Sequence, residues 1–324
     1  MRQWLPLKRL QKVHIKHCTV FTLCLIAIIQ FFACYGYYDY DYIPRNEIDK
    51  NLYQHVNPNL KKKSKPDCRY EGVYQKVYLD DWEIGKHVTK FIPQGIANRS
   101  YIPDDCNPLI SVAVLVTYRK RQSQLDIFIP FIHNFLRKQN IHYKIYIIEQ
   151  QDDKLFNKGL LYNIGAHQAI ADKFPCLIMH DVDLLPLNAA NLYACLHQPR
   201  HMSASIDKFR FNLPYKTLTG GVLSIQADQY VRLNGLSNKF LAWGGEDDDF
   251  ASRIHQHGLE ILRFPPDVSR YTMLVHKQEE KNAARHRLLA RADRPTDGDG
   301  FDSPPRHLTA VRTHRLFTLL SVQT

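Results

Sequence analysis

The chain has 324 residues, and its 43 Lys and Arg against 32 Asp and Glu give a formal net charge of +11. Hydrophobic residues make up 44% of the chain and charged residues 23%, a balance that excludes a disordered chain, a coiled coil, a collagen and a multi-span membrane protein. The length accommodates one large domain or two ordinary ones. A basic surplus is compatible with a nucleic-acid partner, and seven cysteines are compatible with a free thiol. The positions of these residues therefore decide both questions.

The N-terminus carries a topology signal. Residues 1–17 contain basic side chains and no acid, and residues 18–38 contain no charge at all. A helix needs roughly 20 apolar residues to cross the hydrocarbon of a membrane. Because the positive charge precedes the span, we expect a cytosolic tail at 1–17, a signal-anchor transmembrane helix at 18–38 and a lumenal remainder. The alternative is a cleaved signal peptide, which usually has a shorter apolar region and a small-residue cleavage site.

The cysteines divide between the span and the lumen. The predicted span contains Cys18, Cys24 and Cys34. The predicted lumenal part contains Cys68, Cys106, Cys176 and Cys195. An even number of cysteines in an oxidising compartment predicts two disulfides, although four cysteines allow three pairings. The sequon Asn98-Arg99-Ser100 is consistent with a lumenal location.

Residues 39–66 show no apolar periodicity and include a lysine-rich run at 61–65. We interpret them as a solvated stem, since a nucleic-acid patch has no evident use in a lumen. The pattern becomes globular afterwards, so residues 67–324 are predicted to form one lumenal domain.

Strands and helices alternate along this domain. Apolar runs at 111–118, 144–149 and 176–180 predict buried strands, and helical periodicity appears at 122–139, which includes Pro130, and at 159–172. This alternation indicates an α/β fold with a parallel sheet covered by helices. In such sheets ligands bind beyond the carboxyl ends of the strands.

The third predicted strand ends at Asp181-Val182-Asp183. Paired carboxylates suit Mg²⁺ or Mn²⁺, and such ions commonly bridge a diphosphate. The alternative is a pair of solvated turn aspartates. The apolar flanks favour the metal site, because carboxylates embedded in apolar sequence need a partner that offsets their desolvation.

A second acidic cluster follows Trp243 and two glycines, at residues 246–249. Adjacent carboxylates raise one another's pKa, which suits a general base. The alternative is an acidic helix N-terminus that complements the helix dipole, since 250–258 looks helical, and both interpretations can hold. Met273 and His276 lie after a further apolar run, and the role of His276 depends on whether it reaches the first acidic pair.

These motifs resemble the β1,4-galactosyltransferase family, whose members are Golgi type II membrane enzymes. The resemblance spans Cys68 to the C-terminus and rests on residues 156–165, 180–186, 195–209, 220–221 and 243–250. It implies a GT-A nucleotide-sugar-binding fold with a mainly parallel central sheet, preceded by one transmembrane helix. It also implies a Golgi membrane location with a lumenal catalytic domain.

The resemblance assigns roles to individual residues. It implies a UDP-sugar site formed by Thr117, Tyr118, Arg119, Arg121, Phe156, Asn157, Lys158, Asp181, Val182, Asp183, Lys208, Leu218, Trp243 and His276. It implies Mn²⁺ held by Asp183, Met273 and His276. It implies Asp247 as general base beside Glu246, and acceptor contacts from Tyr215, Gly245, Glu246, Asp247, Asp248 and Arg285. The family pairing of the cysteines implies Cys68–Cys106 and Cys176–Cys195.

Leu218 bears on the donor sugar. The resemblance implies that family members using UDP-galactose carry a tyrosine near the 2-position of the sugar. This chain has Leu218 at that position. Leucine leaves room for an N-acetyl group, so we predict inverting, Mn²⁺-dependent transfer of N-acetylgalactosamine to terminal β-N-acetylglucosamine on protein or lipid. The alternatives are galactose transfer to N-acetylglucosamine or xylose, and a non-catalytic membrane-anchored lectin.

Overall fold

The computed structural model describes residues 7–33, 40–74, 96–97, 100–277, 279–290, 298–302 and 307–324. The chain divides into two units, Met1–Asp39 and Tyr40–Thr324. In the first unit the helix α1 (Leu7–Ala33) covers part of the predicted span, whose last residues, 34–38, lie outside the described residues. No helix among the described residues is both long and apolar enough to cross a membrane, so the predicted anchor is not confirmed.

The second unit is a mixed α/β domain. Its strands are β1 (Ile96–Ala97), β2 (Ser100–Tyr101), β3 (Ser111–Tyr118), β4 (His142–Gln150), β5 (Cys176–Asp181), β6 (Leu184–Pro186), β7 (Arg200–His201), β8 (Ser205–Ile206), β9 (Val222–Gln226), β10 (Arg270–Met273), β11 (Leu308–Thr313) and β12 (Thr318–Val322). Its helices are α2 (Ile48–Asn51), α3 (Glu71–Tyr74), α4 (Gln122–Arg137), α5 (Lys158–Ala171), α6 (Ala227–Arg232), α7 (Glu246–Gln256) and α8 (Arg285–Leu289). Short 3₁₀ turns lie at Arg45–Glu47, Asp207–Phe209 and Gly300–Asp302.

Most of these strands form one sheet, and its centre is parallel. Among the described residues the path runs β1-β2-β4-β3-β5-β9-β7, with β12 pairing β4 and β11. The strands β12, β4, β3 and β5 are parallel neighbours, whereas β9 pairs in antiparallel fashion with β5 on one side and with β7 on the other. A smaller sheet has the order β6-β10-β8. The mainly parallel centre agrees with the α/β architecture that the sequence predicts.

Strand β3 is buried on both faces, because helices cover both sides of the sheet. Its alternate residues enter two different apolar clusters: Val114 belongs to one and Leu115 to the other. Helix α4 supplies the first cluster, for example with Phe128, and α5 supplies the second, for example with Leu161. Parallel strands that are covered on both faces have continuous apolar sequences, so they can be predicted from the sequence.

Residues 40–66 differ from the expected stem. Tyr40, Ile43, Ile48 and Leu52 are buried, and Ile43 N donates to the backbone oxygen of Arg263 at 3.0 Å. Buried side chains that are isolated in an irregular segment produce no periodic hydrophobic pattern, so the composition alone suggested a solvated linker. The compact unit therefore begins at Tyr40 rather than after residue 66.

Both disulfides that the family resemblance implies are present, Cys68–Cys106 and Cys176–Cys195. The second bridge ties the first residue of β5 to the segment that precedes β7. The sequon at Asn98 lies outside the described residues, apart from Ser100.

Candidate active site

The carboxyl ends of the parallel strands open into a cavity. About 830 Å³ of empty space lies within it and its open mouth. Its wall is formed by Thr117, Arg119, Arg121, Phe156, Lys158, Asp181, Val182, Asp183, Lys208, Ala242, Trp243, Glu246, Met273, His276 and Glu279. The structure thus brings together most of the residues that the family resemblance assigns to a nucleotide-sugar site.

The metal ligands that the resemblance implies meet through the pairing of β6 with β10. Leu184 lies opposite Met273 in that antiparallel pair, and Leu274 N donates to the Asp183 backbone oxygen at 2.7 Å. This register places Nδ1 of His276 2.8 Å from Oδ2 of Asp183. Burial and the neighbouring Asp181 raise the pKa of Asp183, and His276 opposes that shift.

Asp207 holds the β10 end of this site. Its Oδ1 accepts the backbone N–H of Met273 at 3.0 Å, and its Oδ2 accepts the Thr272 hydroxyl. The next residue along the chain, Lys208, lines the cavity. The Asp207 carboxylate therefore binds the backbone of the candidate metal ligand Met273, and the candidate phosphate ligand Lys208 follows it in the chain.

The two arginines that follow β3 face a carboxylate. Glu279 Oε2 lies 3.1 Å from Nη2 of Arg119, and its Oε1 lies 4.0 Å from Nη2 of Arg121. Nη1 of Arg121 is buried and has no hydrogen-bond partner among the described residues. The guanidinium of Arg119 lies 5.3 Å from the ring centroid of Phe156. This arrangement suits a planar base stacked on Phe156 with its phosphates on the arginines.

Lys158 links the two acidic clusters. Its Nζ lies 2.7 Å from Asp181 Oδ1 and 3.7 Å from Glu246 Oε1. Burial alone would lower the pKa of Lys158, but Asp181, Tyr162 and Glu246 outweigh burial and raise it. The ammonium group therefore stays charged and offsets part of the negative charge in the cavity.

The second acidic cluster is the first turn of α7. Gly245 precedes it with a φ of 101°, a left-handed conformation that favours glycine, and a Cβ there would approach Phe240 to 2.8 Å. Glu246 Oε2 is buried and has no hydrogen-bond partner among the described residues. Burial, then Glu246 and Asp248, raise the pKa of Asp247 to about 7. Both interpretations of this acidic motif therefore hold: it begins helix α7, and it contains a carboxyl group whose pKa is raised.

The residues expected to contact the acceptor surround this turn. Tyr215 Oη donates to Asp248 Oδ1 at 2.9 Å, and burial, then Asp247 and Asp248, raise the pKa of Tyr215. Arg285 packs over the glycines, with its Nη1 3.4 Å from the position that a Cβ on Gly244 would take.

Three residues expected in the UDP-sugar site do not line the cavity. Tyr118 is buried and donates to Gln122 Oε1 at 3.0 Å. Asn157 caps α5, because its Oδ1 accepts the N–H of Leu160 at 3.0 Å. Leu218 is half-buried and packs against the cluster of Tyr40, Ala204 and Leu213. The three side chains therefore have packing or hydrogen-bond partners other than the residues of the cavity wall.

Two cavity residues were not anticipated as site residues, Ala242 and Glu279. Ala242 has a φ of 64°, a left-handed backbone conformation that favours glycine. Glu279 gave no separate signal, because it lies in a polar, charged stretch that resembles a solvated loop.

Two family models match the chain. The N-terminal region of glycosyl transferase group 7 matches residues 74–196, and the N-terminal domain of galactosyltransferase matches residues 200–277. β-1,4-Galactosyltransferase 4 of Cricetulus griseus is 35% identical over 275 residues, which cover 82% of this chain and 75% of that protein. The chain belongs to the β-1,4-galactosyltransferase family. Human β-1,4-galactosyltransferase 3 is 39% identical over 223 residues, covering 67% of this chain and 57% of that protein.

The fold of the family is shared as well. A mutant of Drosophila β-1,4-galactosyltransferase 7, solved in complex with manganese, UDP-Gal and xylobiose, superposes with a TM-score of 0.58 at 26% identity. The match covers 66% of this chain and 94% of that chain. This β-1,4-galactosyltransferase family member is therefore a glycosyltransferase that uses a UDP-sugar, and Mn²⁺ is its cofactor.

The residues present fit that metal. Within the described part of the chain no group of three or more His, Cys, Asp and Glu side chains suits a metal ion. The candidate set combines one carboxylate, one imidazole and the thioether of Met273, so it needs further oxygen ligands. A diphosphate supplies hard oxygens of the kind that Mn²⁺ takes, and the unpartnered Arg121 Nη1 lies on the same wall to receive it.

Proposed function

We propose that the chain transfers galactose from UDP-galactose in β1,4 linkage to a terminal β-linked N-acetylglucosamine of glycoproteins or glycolipids. One observation carries the proposal. The Asp183–His276 pair lines the cavity, and the acidic first turn of α7, which holds Asp247, reaches the same cavity through Glu246. A donor diphosphate and an acceptor hydroxyl can therefore be bound next to each other.

Asp247 is the general base in this proposal. Its carboxylate takes the proton of the acceptor's 4-hydroxyl while that oxygen attacks C1 of the donor sugar. The bond between C1 and the UDP oxygen breaks on the opposite face, and UDP departs with the electron pair. One displacement inverts the α-linked donor to a β-linked product, so no covalent intermediate is required.

The donor diphosphate is bound by basic side chains. Arg119, Arg121 and Lys208 line the cavity and present their charge to it. Asp183, Met273 and His276 are the residues that hold the metal, which when bound acts as a Lewis acid toward the departing diphosphate. Glu279 must leave the two arginines when the phosphates arrive, since they share the same donors.

The donor sugar is oriented by Glu246 and Lys158. The unpartnered Oε2 of Glu246 is an acceptor for a sugar hydroxyl, because Glu246 lines the cavity. Lys158 Nζ lies 2.7 Å from Asp181 Oδ1 and 3.7 Å from Glu246 Oε1, so its charge stands between the two carboxyl groups. Carboxyl oxygens accept hydrogen bonds from hydroxyl groups, which favours a ligand rich in hydroxyl donors.

Galactose is favoured over N-acetylgalactosamine as the donor sugar, because the similar proteins named above are galactosyltransferases. Transfer of N-acetylgalactosamine, the reaction first predicted from the sequence, finds no support among them. It remains the second candidate on one observation. Leu218 has no hydroxyl, and its Cδ1 lies 3.6 Å from the position that a Cβ on Gly220 would take, a position that is 2.5 Å from Asp247 Oδ2.

A donor comparison tests the proposal. The full-length chain in detergent is assayed with Mn²⁺ and a β-N-acetylglucosaminide, using UDP-galactose or UDP-N-acetylgalactosamine, and a β-xyloside serves as the second acceptor. We expect a higher kcat/KM with UDP-galactose, and we expect Leu218→Tyr to increase that preference. Preferred use of UDP-N-acetylgalactosamine would overturn the donor assignment, and transfer to xylose alone would overturn the acceptor assignment.

We also propose that the catalytic domain lies in the Golgi lumen behind an N-terminal signal anchor, as the basic tail and the two disulfides suggest. In sealed microsomes a C-terminal tag should resist added protease until detergent is present. Cleavage of the tag in intact vesicles would contradict this topology.

A further inference from the structure

The loop Tyr215–Gly220 forms the back of the catalytic turn. Tyr215 Oη bonds Asp248, and Thr219 Oγ1 donates to the backbone oxygen of Asp247 at 2.9 Å. A Cβ on Gly220 would lie 2.5 Å from Asp247 Oδ2, so the loop backbone touches the carboxylate of the general base. The position of this loop therefore sets the room around Asp247.

Arg263 holds the loop from behind. It is only 4% exposed, and its Nη2 donates to the backbone oxygens of Lys216 and Leu218 at 2.9 Å each. A buried guanidinium is costly unless its donors are used, and here they are used on the loop. Because Nη2 alone binds the carbonyl oxygens of Lys216 and Leu218, a displacement of Arg263 moves both carbonyl groups together.

His201 extends this contact to the end of the loop. Nε of Arg263 donates to His201 Nδ1 at 3.3 Å, and His201 Nε2 lies 3.0 Å from the backbone oxygen of Gly220. Burial and the adjacent Arg263 lower the pKa of His201 to about 3. The ring is therefore neutral, with Nδ1 accepting and the Nε2 hydrogen donated to Gly220.

Tyr40 in turn holds Arg263. The Tyr40 ring centroid lies 5.6 Å from the Arg263 guanidinium carbon, and its Oη donates to the Phe264 backbone oxygen at 3.2 Å. Leu218 packs against the apolar cluster to which Tyr40 belongs. The N-terminal segment that the sequence presented as a stem thus reaches the loop behind the catalytic turn.

We propose that Arg263 is a positioning residue that, backed by Tyr40, holds the Tyr215–Gly220 loop against Asp247 and so determines the fit of donor sugar and acceptor. The inference rests on the proposed function, in which this loop borders the transferred sugar. It adds the partner of the loop, which neither the family motifs nor the cavity wall contains.

The test compares Arg263→Met, Arg263→Lys and the exposed control Arg232→Met in the full-length chain. The readouts are KM for the acceptor, the ratio of kcat/KM for UDP-galactose to that for UDP-N-acetylgalactosamine, and the affinity for UDP with Mn²⁺. We expect Arg263→Met to change the donor ratio and raise the acceptor KM by about tenfold or more, because displacement of a reacting group by an ångström is costly. UDP affinity should stay unchanged, and Arg263→Lys should restore part of the effect.

A merely structural role predicts a different result. Loss of folded enzyme lowers kcat equally for both donors and leaves KM and the donor ratio as in the wild type. That result for Arg263→Met would overturn the inference, provided that the wild type transfers sugar to N-acetylglucosamine. Absence of wild-type transfer would instead overturn the proposed function, so the two failures are distinguishable.

Tyr40 supplies a second variant in case Arg263→Met does not fold. Tyr40→Leu removes the aromatic face and should shift the donor ratio in the same direction, whereas Tyr40→Phe keeps the face and should resemble the wild type. When combined with Arg263→Met, Tyr40→Leu should add little, since both act through one contact. An unchanged donor ratio in Tyr40→Leu would remove Tyr40 from the inference.

Discussion

The carboxylate of Asp183 and the imidazole of His276 lie 2.8 Å apart, although they come from distant parts of the sequence. The β6–β10 pair brings them together, since each lies just beyond the paired residues. In the sequence alone, Asp183 resembles a solvated aspartate in a turn, and His276 resembles a surface histidine. Their contact makes two weak sequence signals into a candidate metal site.

Asp183→Asn should therefore weaken Mn²⁺ binding and lower the transfer rate by on the order of 100-fold or more, because a charged ligand for a catalytic cation is lost. The measurements are direct Mn²⁺ binding and the Mn²⁺ concentration that gives half-maximal transfer. Asp228→Asn removes an exposed acid from α6 and serves as the matched control. Unchanged Mn²⁺ binding in Asp183→Asn would contradict the assignment.

The pKa of Asp247, raised to about 7, predicts an acidic limb in the pH profile. A general base works only when ionised, so kcat/KM should rise with pH up to about 7 and then level off. Asp247→Asn should remove this limb and lower kcat/KM by about 10²–10⁴-fold. A wild-type profile that stays flat through this range would exclude Asp247 as the base.

Folding stability should change in the opposite direction over the same range. The pKa of Asp247 is 3.8 before folding and about 7 in the native state, so between these values the native state binds the extra proton. The contribution of this group to the free energy of unfolding then falls as pH rises from about 4 to about 7. In denaturant titrations Asp247→Asn should remove that decline.

Lys158 provides an independent check on the same carboxylate, because its positive charge lowers the pKa of Asp247. Lys158→Met should move the acidic limb of kcat/KM to higher pH, and Lys158→Arg should keep it near the wild-type position. The readout is the apparent pKa, which does not depend on how much activity the variant retains. A limb at the same pH in Lys158→Met would show that Lys158 does not act on the base.

The sequence predicts the parallel centre of the fold well, for a physical reason. β3 was expected at 111–118 and is found at Ser111–Tyr118, since a strand buried on both faces is a continuous apolar run. The apolar run before Asp181 predicts that the Asp181–Asp183 pair lies at a strand end, and β5 does end at Asp181. Its partner in the site could be named only through the family resemblance, since no local pattern connects His276 to it.

The parts that the sequence did not reveal are those built from isolated contacts. Tyr40 and Arg263 are a single ring and a single guanidinium in irregular segments, and neither has a period that marks burial. Glu279 resembles any charged loop residue until the structure places it on Arg119. Such contacts depend on how separate segments meet, which hydrophobic periodicity does not encode.

The two disulfides differ in the elements that they join, because only the Cys176–Cys195 bridge is attached to a strand that ends at the cavity. None of the four cysteines lines the cavity, but Cys176 begins β5, the strand that ends at Asp181 in the cavity wall, whereas Cys68 and Cys106 lie outside the described strands. The bridges close loops with sequence separations of 19 and 38, so in the chain-entropy model loss of either should cost about 3–4 kcal/mol of unfolding free energy. Replacing Cys176 and Cys195 by Ala should also raise KM for the UDP-sugar, and replacing the other pair should leave that KM unchanged. Urea titrations and donor kinetics measure the two effects, and an equal change of KM in both double variants would contradict a specific link between the Cys176–Cys195 bridge and the donor site.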